Sequence, residues 1–169
     1  FSKEAYDFVD QLKKAGQQYW QILPLGPTGY GDSPYQSVST FAGNPYFIDL
    51  ETLIDKKLLT KEECESCDWG GSESYVDYEK MYLSRFKLLR KAYERANLKN
   101  DPDYVAFLKQ EEDWLLDYCL FMAIKNAQNG KCWIDWPEEL KDRHSKAVKE
   151  AEKELAEEVG FYSFQQYCF

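Results

Sequence analysis

Between Gly26 and Pro45 the chain places four glycines and three prolines among serines, threonines and tyrosines. A helix or central strand cannot be built at that density, because Pro lacks the backbone N–H and Gly loses the most freedom on ordering. The segment is a loop, too long for a simple connection, and long loops of this kind are usually put to use. It divides the sequence into two kinds of polypeptide.

Before and just after the loop the pattern is that of an α/β chain. Ala5, Phe8, Val9, Leu12 and Ala15 form an apolar helical stripe over residues 2–15, and Gly16 is its stop. Tyr19–Leu25 is a short aromatic and apolar run closed by Gly26-Pro27, which predicts a buried strand. Tyr46–Leu50 predicts a second strand, with a helical turn over Glu51–Lys57. Further on the period changes to that of helices: Tyr78–Arg95, Tyr104–Asn126 and Glu138–Cys168, interrupted at Asn129-Gly130 and Trp136-Pro137.

Composition narrows the function. A chain of 169 residues, 44% hydrophobic and 17% aromatic, can bury a core. The net charge of -9 and the absence of a Lys/Arg block argue against nucleic acid. No stretch reaches the ~18 apolar residues that span a bilayer, and no leader opens the chain, so no membrane partner and a cytoplasmic location are expected. Cys64, Cys67, Cys119, Cys132 and Cys168 are odd in number and irregularly spaced, which argues for reduced thiols. Cys64 and Cys67 have the spacing of half a zinc site, but without a second pair or a nearby His neither a metal nor a cofactor is expected. Phe1 at the start and the aromatic Phe161–Phe169 at the end make both ends look cut.

Several residues have plain readings. Trp20, inside the first predicted strand, is expected in the core. Asp32 and Asp49 are acid/base candidates by type, with turn capping and strand-end hydrogen bonding as the alternatives. His144, between Arg143 and Ser145, is expected on a solvated helix surface. Lys149 and Lys153 among Glu150–Glu158 describe a solvated helix face. Trp133 and Trp136 either anchor a loop or stack on a sugar.

One run carries more information than all of these. Tyr19-Trp20-Gln21-Ile22-Leu23-Pro24-Leu25-Gly26-Pro27-Thr28-Gly29-Tyr30-Gly31-Asp32-Ser33-Pro34-Tyr35-Gln36-Ser37, continued by Phe41-Ala42-Gly43-Asn44-Pro45-Tyr46, closely resembles the signature of the amylomaltases, the 4-α-glucanotransferases of the α-amylase clan. Val76-Asp77-Tyr78 and Asp117–Ala123 are similar to the family's helical insertion.

The resemblance implies an α/β fold, the N-terminal part of a (β/α)8 barrel with its first two parallel strands, plus a mostly α-helical insertion. It assigns residues 1–53 to the barrel strands, their helices and a donor-side loop, and 54–169 to the insertion, ending before a third strand. It implies a retaining double displacement on α-1,4-glucans and maltooligosaccharides by two carboxylates. No Arg-x-Asp context for the nucleophile occurs here, so no catalytic residue is assigned. Sugar binding is: Tyr35 as the ring platform with Asp32, Ser33 and Pro34 on the donor side, and Tyr30 with Tyr82 at a secondary glucan contact. Two strands alone leave edges and apolar faces open, so self-association or pairing with the remainder of the barrel is expected.

Overall fold

A computed structural model describes residues 1–72 and 74–169, and all regular structure among them is helical. The chain divides into two units, Phe1–Asn97 with Cys168 and Phe169, and Leu98–Tyr167.

In the first unit α1 spans Lys3–Lys14. It stops at Gly16, whose φ of +76° lets Gly16 N–H donate to Lys13 C=O at 3.0 Å and Gln17 N–H to Leu12 C=O at 3.0 Å. Four helix-forming signals then recur as caps. Asn44 precedes a 3-10 turn, Pro45–Phe47, and accepts from Tyr46 N–H. Asp49 opens α2 (Leu50–Asp55), Thr60 opens α3 (Lys61–Glu65) with a reciprocal bond to Glu63, and Asp77 opens α4 (Tyr78–Arg95). Leu53, Leu59, Leu88, Leu89 and Ala92 are buried.

Neither predicted strand is present, for different reasons. The expected α/β class, with the first two parallel strands of a (β/α)8 barrel, is overturned: among the described residues there is no strand at all. A strand exists only through a ladder, and residues 19–25 have none; Pro24 has no N–H to give, and Leu25 C=O takes a single bond, from Asn44 N–H at 2.8 Å. The second run is captured by Asn44 with Pro45 on one side and Asp49 on the other, both helix-starting signals. Trp20 is therefore not a core residue. It is 50% exposed and meets Phe8 edge-on at 5.1 Å.

The second unit holds α5 (Pro102–Gln110), α6 (Leu115–Ala127), a 3-10 turn at Trp133–Asp135, α7 (Glu138–Lys141), α8 (Ser145–Glu154) and most of α9 (Ala156–Cys168). Two predicted helices are thus broken. Residues 104–126 divide after Gln110, where Glu111, Glu112 and Asp113 would be three acids at a helix C-terminus, the end that repels them. Residues 138–168 divide at Arg143, in the left-handed region at φ 56°, and again at Leu155. Tyr104 O–H donates to Ser163 Oγ at 2.9 Å and Tyr167 O–H to Asp101 Oδ2 at 3.1 Å, tying α5 to α9. Phe161 and Phe164 of the terminal aromatic run are buried, whereas Phe169 is partly exposed. A second apolar cluster gathers Leu120, Ile124, Trp136 and Ala151.

Candidate functional site

The loop after residue 25 closes on itself. Asn44 N–H reaches Leu25 C=O, Ser37 Oγ donates to Ser39 C=O at 2.7 Å, and Ser39 Oγ accepts from Phe41 N–H at 3.2 Å and Ala42 N–H at 3.1 Å. Gly26 is required where the two arms meet, since a Cβ there would lie 2.7 Å from Ser37 Oγ and 3.2 Å from the Ser39 carbonyl.

Two successive turns project from this closed base. Asp32 N–H donates to Gly29 C=O at 3.1 Å across Tyr30 and Gly31, and the φ of +95° at Gly31 is what such a turn asks of its third residue. Gln36 N–H then donates to Ser33 C=O at 3.1 Å across Pro34 and Tyr35, with Pro34 presetting the second position. Tyr30 and Tyr35 therefore sit at turn corners. Tyr35 is 73% exposed and Tyr30 fully so, and neither joins an aromatic pair among the described residues.

Asp32, Ser33 and Pro34 are half-buried between the two tyrosines. Asp32 is left-handed at φ 54°, immediately after Gly31, and unlike Lys57, Asn129 and Arg143 it does not owe this to a helix end. Its carboxylate accepts no hydrogen bond among the described residues, so it is not a turn cap. It faces Tyr46. Burial first, then the charge of Asp32 and the neighbouring Tyr82 and Tyr78, push the Tyr46 phenol up to about 12.

The sequence reading places Tyr46 in a strand; it instead sits in the 3-10 turn and packs on α4. Its ring contacts Tyr78 at 6.2 Å and Phe86 at 6.3 Å, and Tyr82, half exposed, packs on Phe86 at 4.7 Å. Tyr46 and Tyr82 both pack on Phe86, while Tyr30 and Tyr35 stand in solvent. Arg85, also on α4, donates to Ile48 C=O and lies 5.9 Å from the Trp69 ring. Only the aromatic-polar alternation of 78–86 hinted at this cluster.

Most other candidates fall into structural roles. Asp49 caps α2, accepting from Thr52 N–H at 3.0 Å and Thr52 Oγ1 at 2.7 Å, at a helix start and not at a strand end. His144 is exposed but lies in the break before α8, outside any helix. Trp136 is buried and donates to Lys131 C=O at 3.2 Å, while Trp133 is 50% exposed. All five cysteines are free thiols; burial pushes Cys119 and Cys168 up to about 12, the opposite of activation. Among the described residues no group of three His, Cys, Asp or Glu side chains is arranged to hold a metal, and no helix is long and apolar enough to cross a membrane.

The arrangement suits holding a neutral, hydroxyl-bearing ring: exposed phenol faces beside a carboxylate with acceptor capacity to spare. Comparison with known proteins places the chain among relatives. The chain is 47% identical to a 4-alpha-glucanotransferase of Clostridium butyricum over its whole length, covering 35% of that protein. It is also 47% identical to one of Thermus thermophilus, covering 99% of this chain and 33% of the relative. An amylomaltase from Streptococcus agalactiae, solved in complex with acarbose, superposes with a TM-score of 0.91 at 35% identity, over 99% of this chain and 34% of that one. The chain therefore spans about a third of the length of these relatives. The family model described as 4-alpha-glucanotransferase matches residues 1–169 without remainder, and this chain belongs to that family.

Proposed function

We propose that the protein carrying this chain transfers α-1,4-glucan segments between maltooligosaccharides by a retaining double displacement, and that residues 1–169 bind substrate without supplying the two catalytic carboxylates. The observation that carries this reading is the pair of turns at 29–36, which holds Tyr35 out in solvent beside an Asp32 carboxylate with no hydrogen-bond donor among the described residues. Tyr35 stacks on the apolar face of a glucose ring, Asp32 and Ser33 meet its hydroxyls, and Pro34 fixes the turn. Tyr30 and Tyr82 make a secondary glucan contact. Binding of this kind orients a glucan but cannot break its linkage. In this reading the functional boundary falls near residue 53, with the binding loop before it and a helical insertion over 54–169.

The isolated chain is expected to leave maltotriose unchanged while binding maltoheptaose in calorimetry, with Tyr35→Ala weakening that binding about tenfold. Enzyme-like turnover by residues 1–169 would overturn the division of labour, and identical affinities of wild type and Tyr35→Ala would remove the platform. A second reading, a glucan-binding or packing piece only, is favoured by the exposed apolar side chains of Phe8, Val9, Trp20 and Leu23.

A further inference from the structure

Within residues 98–167, and apart from the loop described above, α6, the Trp133–Asp135 turn, α7 and α8 enclose a groove of about 300 Å³. Phe121 and Leu140 line its apolar part, Trp136 is packed into one wall with its ring 5.3 Å from that of Phe121, and Trp133 stands half exposed at the other. Asp117 and Arg143 complete the rim as an ion pair, Arg143 Nη2 to Asp117 Oδ1 at 2.8 Å.

Stability does not account for that pair. Arg143 occupies the left-handed position after α7 (φ 56°), where its N–H donates to Leu140 C=O at 3.2 Å and His144 N–H to Glu139 C=O at 2.8 Å. Glycine is the ordinary occupant of such a place, and a large side chain there works against the backbone. The ion pair it makes has both partners more than 60% exposed and contributes little to stability. An arginine held in a glycine position, to pair in open solvent beside an aromatic groove, is a feature better suited to recognition than to folding.

Size and chemistry select the occupant. The volume lies at the small end of ligand pockets, ~300–1,000 Å³, which suits a ring or two and is too small for an amphipathic helix. The paired carboxylate and guanidinium cancel each other in charge and offer acceptors and donors, and Lys141, which also lines the groove, adds donors for sugar hydroxyls. The Trp133 indole N–H has no acceptor among the described residues. We propose that this groove holds a glucosyl ring of an α-glucan, stacked on Trp133 and hydrogen-bonded at its hydroxyls by Asp117, Arg143 and the Trp133 indole N–H. The site rests on the glucan-transferring reading given above, and it is built from residues other than those of the Tyr35 loop.

The test is NMR on the full chain, following the Trp133 indole N–H resonance, assigned by its loss in Trp133→Phe, during titration with maltoheptaose and, as a control, the β-linked cellobiose. Maltoheptaose is expected to shift it and cellobiose to leave it in place. Trp133→Ala is expected to weaken maltoheptaose binding at this site about threefold to tenfold. Arg143→Gly is expected to weaken it as well while leaving the melting temperature unchanged or raised, since glycine relieves the backbone; a merely structural arginine would show the reverse. If maltoheptaose moves loop resonances that Tyr35→Ala abolishes, yet leaves Trp133 and its variants unaffected, this site is overturned and the loop reading stands. If the wild-type chain shows no response to maltoheptaose anywhere, both fall together.

Discussion

Arg95 grips both oxygens of Glu63, Nη1 to Oε2 at 2.7 Å and Nη2 to Oε1 at 2.8 Å, joining the end of α4 to α3. Lys91 Nζ adds a bond to Oε1 at 3.1 Å, and Thr60 N–H one to Oε2 at 3.1 Å. The Arg95 and Lys91 hydrogen bonds, followed by that from Thr60, hold the Glu63 carboxyl well below the usual carboxylate range.

A depressed folded-state pKa stabilises the fold above the unfolded value, ~4.3, and that contribution disappears as pH falls toward the folded value. Melting curves of wild type and Glu63→Gln should therefore be furthest apart near pH 7 and converge in acid. A gap that stays constant down to pH ~3 would show that the bidentate grip does not set it.

Gly26→Ala should destabilise by about 1–3 kcal/mol, because its Cβ must push on Ser37 and the Ser39 carbonyl at the closed base of the loop. Gly29→Ala, whose Cβ meets nothing within 4 Å, is the matched control and should be nearly neutral. Chemical denaturation midpoints of the two variants separate a close-approach glycine from one that only fills a turn.

Arg85 is expected to resist conservative exchange. Its guanidinium donates to the carbonyl of buried Ile48 and faces Trp69, and burial pushes its pKa down. Lys cannot match a planar fork, so Arg85→Lys should cost about 1–3 kcal/mol in denaturant titrations. It should also broaden the Tyr46 and Tyr78 ring resonances. Full retention of stability would mean the Ile48 contact is incidental.

If Tyr30 and Tyr82 contribute a secondary glucan contact, Tyr30→Ala and Tyr82→Ala should each reduce retardation by glycogen in native gels about threefold, less than Tyr35→Ala. Tyr82→Phe, which keeps the ring beside Phe86, should retain most of it. Unchanged mobility of both alanine variants would confine binding to Tyr35.

Phe8, Val9, Trp20, Ile22 and Leu23 are each 44–58% exposed on the first unit. Light scattering of the isolated chain should show concentration-dependent self-association, and Leu23→Lys should reduce it. A monodisperse monomer at high concentration would contradict this.

The helices whose caps are written in side chains were legible: α4 has the expected bounds because Asp77 starts it and its apolar stripe runs on unbroken to Arg95. What misled was the run Tyr19–Leu25. Its composition is that of a strand, but strand formation is decided by a partner elsewhere in space, and no local signal reports whether one is present. The breaks at Gln110 and Arg143 were hidden for a different reason. The first follows from three acids that hydrophobic period ignores, the second from a left-handed backbone at Arg143 with no glycine to mark it. At the candidate site Tyr30 and Tyr35 were named through the family resemblance, whereas Tyr46 was not, since its packing on Tyr78 and Phe86 comes from the approach of α4.

Phe169 belongs with the first unit: its ring lies 5.8 Å from that of Phe1, and the backbone at Gly43 fits against it so closely that a Cβ would stand 2.2 Å from the ring. A ribosome delivers Phe1 and Gly43 early and Phe169 only after the whole of 98–167 has emerged. The first unit must therefore wait for the last residue of this span before it can finish folding, which makes maturation of the loop-bearing half dependent on completed synthesis of the half that follows.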